Sequence, residues 1–226
     1  MVIFAVAAFS AQVSVSAQVS SSSSNPPSSS PSKAESSQRR VIAPPLNPGS
    51  VNAGVYRNPP FGFACKIPAG WVLRTDEMNL REGGDATPEG NKAAADTKRG
   101  QVLLAAFSRP PAVRAEDVNS SILIAVESAA LYPGLKDAAQ YFGPVTEVAK
   151  AKGFETVEEP YEFVIGARTL VRGDFQKDVG TRVMRQSTLV MLSRGYAVSF
   201  TFIGGTEDEV EELVQGLSFA RAKTAR

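Results

Sequence analysis

The sequence predicts an α+β fold, an antiparallel β-sheet flanked by helices. Three observations carry that prediction. Between Tyr161 and Ile203 four extended runs follow one another, and their links are too short to join anything but antiparallel neighbours. Two stretches outside that block, Leu135 to Lys152 and Thr206 to Leu217, repeat apolar residues at spacings of three and four. The 226-residue chain is 43% hydrophobic and 21% charged, the balance of one globular domain with an appendage.

The appendage comes first. Residues 1–17 are small and apolar, and Val15-Ser16-Ala17 places small residues where signal cleavage after Ala17 needs them. A positive n-region is missing, so either the start lies further upstream or the run is not a signal. Ser10, Gln12, Ser14 and Ser16 interrupt the run. That argues against stable membrane insertion, which takes roughly 20 mostly apolar residues. No cysteine follows to take a lipid. Residues 18–53 are rich in serine and proline and read as a disordered tether with little to bury. The single domain is expected over 54–221, with a short tail at 222–226.

Within the domain, Phe61, Phe63 and Cys65 alternate with Gly62, Ala64 and Lys66, the pattern of a half-buried strand. Ile67-Pro68-Ala69-Gly70-Trp71 closes it in a turn that carries the only tryptophan. Residues 82–100, rich in Gly, Ala, Asp and Lys, read as a mobile loop. Val102 to Phe107 and Ile122 to Glu127 suit buried strands, with an irregular link beginning at Arg109-Pro110-Pro111.

Leu135 to Lys152 is expected to be helical, kinked or restarted at Pro144 and stopped by Gly153. A meander follows: 161–165, 167–175, 181–193 and 196–203. In the last run Tyr196, Val198, Phe200 and Phe202 share one face. Thr206 with Glu209 three residues on forms a capping box. It opens a final helix with Val210, Leu213, Val214 and Leu217 on one side.

Several chemistries are excluded or weakened. There is no histidine, which removes the commonest base and metal ligand. Cys65 is the single cysteine, so neither an internal disulfide nor a thiolate zinc site can form; its strand context reads as core. The net charge of +1, without a basic stripe, argues against nucleic acid. No phosphate loop, nucleophile elbow or dinucleotide fingerprint occurs, and no cofactor is expected. The acids from Glu207 to Glu212 read as a helix start, Arg172-Gly173-Asp174 falls inside a strand, and Asn119-Ser120-Ser121 is a bare glycosylation sequon.

Tyr56-x-Asn58-x-x-Phe61-Gly62-Phe63-x-x-x-Ile67-Pro68-x-Gly70-Trp71 resembles the opening strand and turn of PsbP/Mog1-like domains. The resemblance covers Val55 to about Ala220 and implies an α/β/α sandwich with a binding or assembly role and no shared catalytic residues. The candidate interaction surface is Tyr56, Trp71 and Arg74, with Phe61 nearby and loop 82–100 beside it, because aromatics and arginine are enriched at interface hot spots. Phe61 and Trp71 also read as core residues holding the turn. The expected protein is a secreted or periplasmic bacterial module, non-enzymatic, whose partner is an unknown envelope protein or small ligand. One alternative is a hydrolase using carboxylates such as Asp76 and Glu77. Another is a subunit that stabilises a larger complex.

Overall fold

The computed structural model describes residues 46–83, 100–110 and 117–220. The expected signal peptide at 1–17, most of the tether at 18–53, positions 84–99 of the loop and the tail at 222–226 lie outside the described residues. In chain order the first strands are β1 (Ser50–Asn52), β2 (Val55–Asn58), β3 (Phe63–Lys66) and β4 (Val72–Leu73), followed by helix α1 (Thr75–Gly83). Then come β5 (Gln101–Phe107), β6 (Ser121–Ser128), helix α2 (Phe142–Ala151), β7 (Glu155–Thr156), β8 (Tyr161–Ile165) and β9 (Arg168–Val179). The chain closes with β10 (Arg182–Ser193), β11 (Tyr196–Gly204), helix α3 (Glu207–Gln215) and β12 (Leu217–Phe219).

Every pairing is antiparallel. The larger sheet runs β4-β5-β6-β11-β10-β9-β7, with β8 also on β9, and the smaller runs β1-β2-β3-β12. The α+β class stands on these ladders. Two-residue turns make the meander: Ile165 pairs with Arg168, Val179 with Arg182 and Ser193 with Tyr196. Gly166, Gly180 and Gly195 supply the positive φ that such hairpins demand.

Register assigns the faces. Arg172 pairs with Leu189 and Leu189 with Phe200, so all three side chains share a face. On it Phe200 meets Phe63 edge-on at 4.9 Å and Phe219 at 6.1 Å, which lays the smaller sheet against β11. The Arg172 to Glu211 ion pair places α3 on that side too. On the opposite face Phe142, Val145 and Ala149 of α2 pack on Phe175, Val190 and Ala197. Three layers result. Beside α2, buried Glu127 accepts hydrogen bonds from the Tyr132 and Tyr141 hydroxyls. Burial and that carboxylate together push both phenols above their usual pKa.

Five boundaries differ from the sequence reading. Strand β1 occupies Ser50–Asn52, inside the span assigned to the tether, because Ala53 (φ 49°) and Gly54 (φ 71°) form a two-residue turn onto β2. Pro144 neither kinks nor restarts a long helix: α2 begins at Phe142, which puts the proline in the first turn, where an amide has no intrahelical partner. Upstream the chain makes only a 3-10 turn at Ala139–Tyr141. Strand β9 continues through Gln176–Val179, which the sequence reading took as a link. Leu217 leaves the last helix to start β12.

The fifth is α1, whose residues Glu82 and Gly83 were expected in the loop. It guards an edge. Below β4, the Thr75 hydroxyl accepts from the Ala105 amide (3.0 Å), and the Asn79 side chain both donates to Val102 O (2.9 Å) and accepts from Val102 N (3.0 Å). A helix thereby replaces the missing strand along β5.

Candidate functional site

The expected surface at Tyr56, Trp71 and Arg74 does not assemble. Tyr56 is 2% exposed, and its hydroxyl donates to Pro48 O at 2.7 Å. Burial raises that phenol from 10.0 to about 12. Fully buried Asn58 donates to the Tyr56 hydroxyl and to Asn47 O, and accepts from the Phe61 amide at 3.2 Å. The Tyr-x-Asn-x-x-Phe motif is thus a brace that ties the chain entry to the first turn. Phe61 is core, 4% exposed against Tyr196.

Trp71 is half-buried in its turn. Arg74 is occupied: it bonds Glu77 and lies over the Phe107 ring at 5.6 Å. Asp76 is exposed, and as helical neighbours Asp76 and Glu77 project roughly 100° apart. Cys65 is wholly buried, its thiol pushed up from 9.0 to about 12, as a core residue would be. Among the described residues no group of His, Cys, Asp and Glu could hold a metal ion. None of their helices is long and apolar enough to cross a membrane.

A different opening exists, where the strands of the larger sheet end unequally. The β10–β11 ladder stops at Arg185 and Gly204, while the β10–β9 ladder continues to Arg182 and Val179. At Gly204-Gly205 the chain turns away into α3. Thr206 caps that helix by accepting from the Glu209 amide at 3.2 Å. The reciprocal half of the box is shifted by one residue, since Glu209 accepts from the Gly205 amide at 2.8 Å and from Ser120. Across the gap, residues 117–120 lead into β6. These three walls enclose about 540 Å³.

The charges in this cleft fall into two groups. Asp117 is committed to Arg109 at 2.9 Å, and Glu209 to its two donors. The side chains of exposed Arg182, half-buried Arg185 and exposed Glu207 have no hydrogen bond or ion pair among the described residues. Next to Arg185 lies a recess of about 100 Å³ shared with Arg172, Asp174 and Glu211. There Arg172 pairs with both Asp174 and Glu211. Arg172 Nε donates to both Asp174 oxygens at 3.0 Å, its Nη2 reaches Glu211, and its plane lies 5.1 Å from Phe163. Burial alone would lower the pKa of Arg172, but bonds and charge from Glu211 and Asp174 outweigh it and raise it. Tyr161 donates to Asp174 at 3.1 Å, and burial followed by that carboxylate lifts its phenol to about 12. The Arg-Gly-Asp tripeptide is therefore structural, as is Asn119 of the sequon, whose amide is held by Ser108 and Arg109.

No residue-type motif marks the cleft. The signal that could have found it is length: β9 and β10 have 12 residues each and β11 has nine, so the two long strands overshoot.

No protein-family model and no curated protein matches the sequence. Among solved structures, cyanobacterial PsbP from Synechocystis sp. PCC 6803 is similar at a TM-score of 0.42 and 15% identity, over 76% of this chain and 96% of that one. LpqN of Mycobacterium tuberculosis, involved in cell envelope biogenesis, is similar at 0.36 and 14%, over 77% and 87%. A protein of unknown function from Pseudomonas aeruginosa is similar at 0.35 and 16%, over 49% and 79%.

Proposed function

We propose that this chain is an exported, non-enzymatic binding or assembly module of the bacterial cell envelope, of PsbP/Mog1-like type, and that it binds through the cleft at Arg185. One observation carries the reading. Arg182 and Arg185 stand without partners at an opening where Asp117 and Glu209 are already committed. A half-buried guanidinium keeps part of its desolvation cost until a partner supplies acceptors. The apolar leader, the Ser/Pro tether and the resemblance of the first strand and turn support export and the family assignment. The carboxylate-hydrolase alternative has less behind it, because Glu77 is tied to Arg74 and Asp76 has no facing acid on its helix.

The test is in-cell crosslinking and affinity recovery through a C-terminal tag. One dominant, stoichiometric partner should appear with the native chain, persist in Arg168→Glu and be lost in Arg185→Glu. Recovery unaffected by Arg185→Glu would remove the cleft from the reading. Robust turnover of a substrate, abolished by changing a single side chain, would overturn its non-enzymatic part.

A further inference from the structure

Resting on that reading of the cleft, we infer that its occupant is an extended, acidic peptide segment that adds to the exposed rung of β10 at Val183. Hairpin phase carries the argument. In a two-residue hairpin the residues flanking the turn form a hydrogen-bonded pair, and bonded and non-bonded pairs then alternate along the ladder. Val179 and Arg182 flank one turn, so Arg182 and Met184 direct their backbone groups at β9. Ser193 and Tyr196 flank the next, so Ser193, Met191, Leu189, Ser187 and Arg185 direct theirs at β11. Val183 continues that second series. Its N–H and C=O therefore point to the side of β11, one rung beyond Gly204, where β11 has turned away. Val183 lines the cleft, and no backbone pairing beyond β9 reaches it among the described residues.

The walls fit an added strand. Gly205 presents no side chain at the mouth and lies close against Val118. At about 540 Å³ the opening is within the range of roughly 300–1,000 Å³ usual for ligand sites, and it can take side chains as well as backbone. Backbone bonds give affinity in strand addition and side-chain pockets give preference. Preference here is acidic: the lining holds two guanidinium groups without side-chain partners, Arg182 and Arg185, against one such carboxylate, Glu207. Another edge, β8, leaves Val164 64% exposed but lines neither opening, and so serves as an internal control.

The experiment is amide hydrogen exchange on the full chain with synthetic probes. The first is a capped Thr-Asp-Val-Asp-Val-Thr hexapeptide and the second has lysine in place of aspartate. Two more carry N-methyl groups on one or the other alternate set of amides. The aspartate peptide should slow exchange of the Val183 amide about tenfold or more at saturation. It should bind at least about tenfold tighter than the lysine peptide, a gap of about 1.4 kcal/mol. Methylating one alternate set should abolish binding while the other set is tolerated, and Arg185→Gln should close the gap between the acidic and basic probes. Protection confined to β8, equal binding of both probes, or no protection at Val183 overturns the inference. If Val183 stays unprotected while the partner recovered from cells still depends on Arg185, strand addition falls and the binding reading stands.

Discussion

Asn58 satisfies both ends of its amide inside the core, and every partner belongs to the segment that opens the domain. Truncating it strands the Phe61 amide away from water and leaves the Tyr56 hydroxyl only its bond to Pro48. Asn58→Ala should accordingly cost about 1–3 kcal/mol in urea unfolding, the usual range for buried groups left unsatisfied. The opposite sign is expected one turn earlier. Ala53 holds φ 49° beside Gly54, a conformation costing an L-residue roughly 1–2 kcal/mol unless its side chain suits it. Ala53→Asn gives the Asn-Gly pair that such turns prefer and should raise stability by about 0.5–1 kcal/mol in the same assay. These two positions also show why residue types misled at the first strand. An aromatic and an arginine near a turn carry the same letters whether they meet a partner or brace a fold. Only the Pro48, Asn58 and Glu77 bonds decide it, and no residue type announces them.

At the scale of elements, α2 comes closest to β9 at a single glycine. A side chain added at Gly173 would place its Cβ 2.5 Å from the Phe142 ring, so the helix sits as low on the sheet as a bare backbone allows. Gly173→Ala should cost about 1–3 kcal/mol by overpacking, and Phe142→Leu in the same background should recover part of it, read as a double-mutant cycle by urea unfolding. The meander was legible because each hairpin turn holds a glycine and each strand keeps its period. α3 was legible because Thr206 and Glu209 announce its start. Helix α1 was not: Met78 and Leu80 give no repeat of three or four, and Leu80 is 75% exposed. Its cause lies in the unpaired edge of β5, which no local pattern reports. The same applies to the cleft, an effect of unequal strand lengths across three elements.

Across the whole molecule, burial of neutral acids sets the alkaline limit. Cys65 rises from 9.0 to about 12 and Tyr56 from 10.0 to about 12, so the folded state binds protons that the unfolded chain has released. Stability from both groups is fully present below their unfolded values and is lost as pH climbs through the folded ones. Urea midpoints should stay level to about pH 9.0, then fall toward about pH 12. In Cys65→Ala the onset should move to about pH 10.0, where the Tyr56 phenol of the unfolded chain begins to release its proton.

The smaller sheet has a consequence in time. Its middle strand β3 is completed by β12, and the two meet across a sequence separation of 154 residues. A nascent chain that has reached α3 still lacks the outer strand that covers Phe63 and Phe200. Loops of that span close late and slowly, so the central layer stays open on one side until β12 docks. On the export we propose, slow closure has a use, because a translocation channel threads unfolded chain. A version ending at Gly216 should therefore be degraded by pulse proteolysis under conditions where the full chain survives, and supplying residues 217–219 as the natural extension should restore resistance.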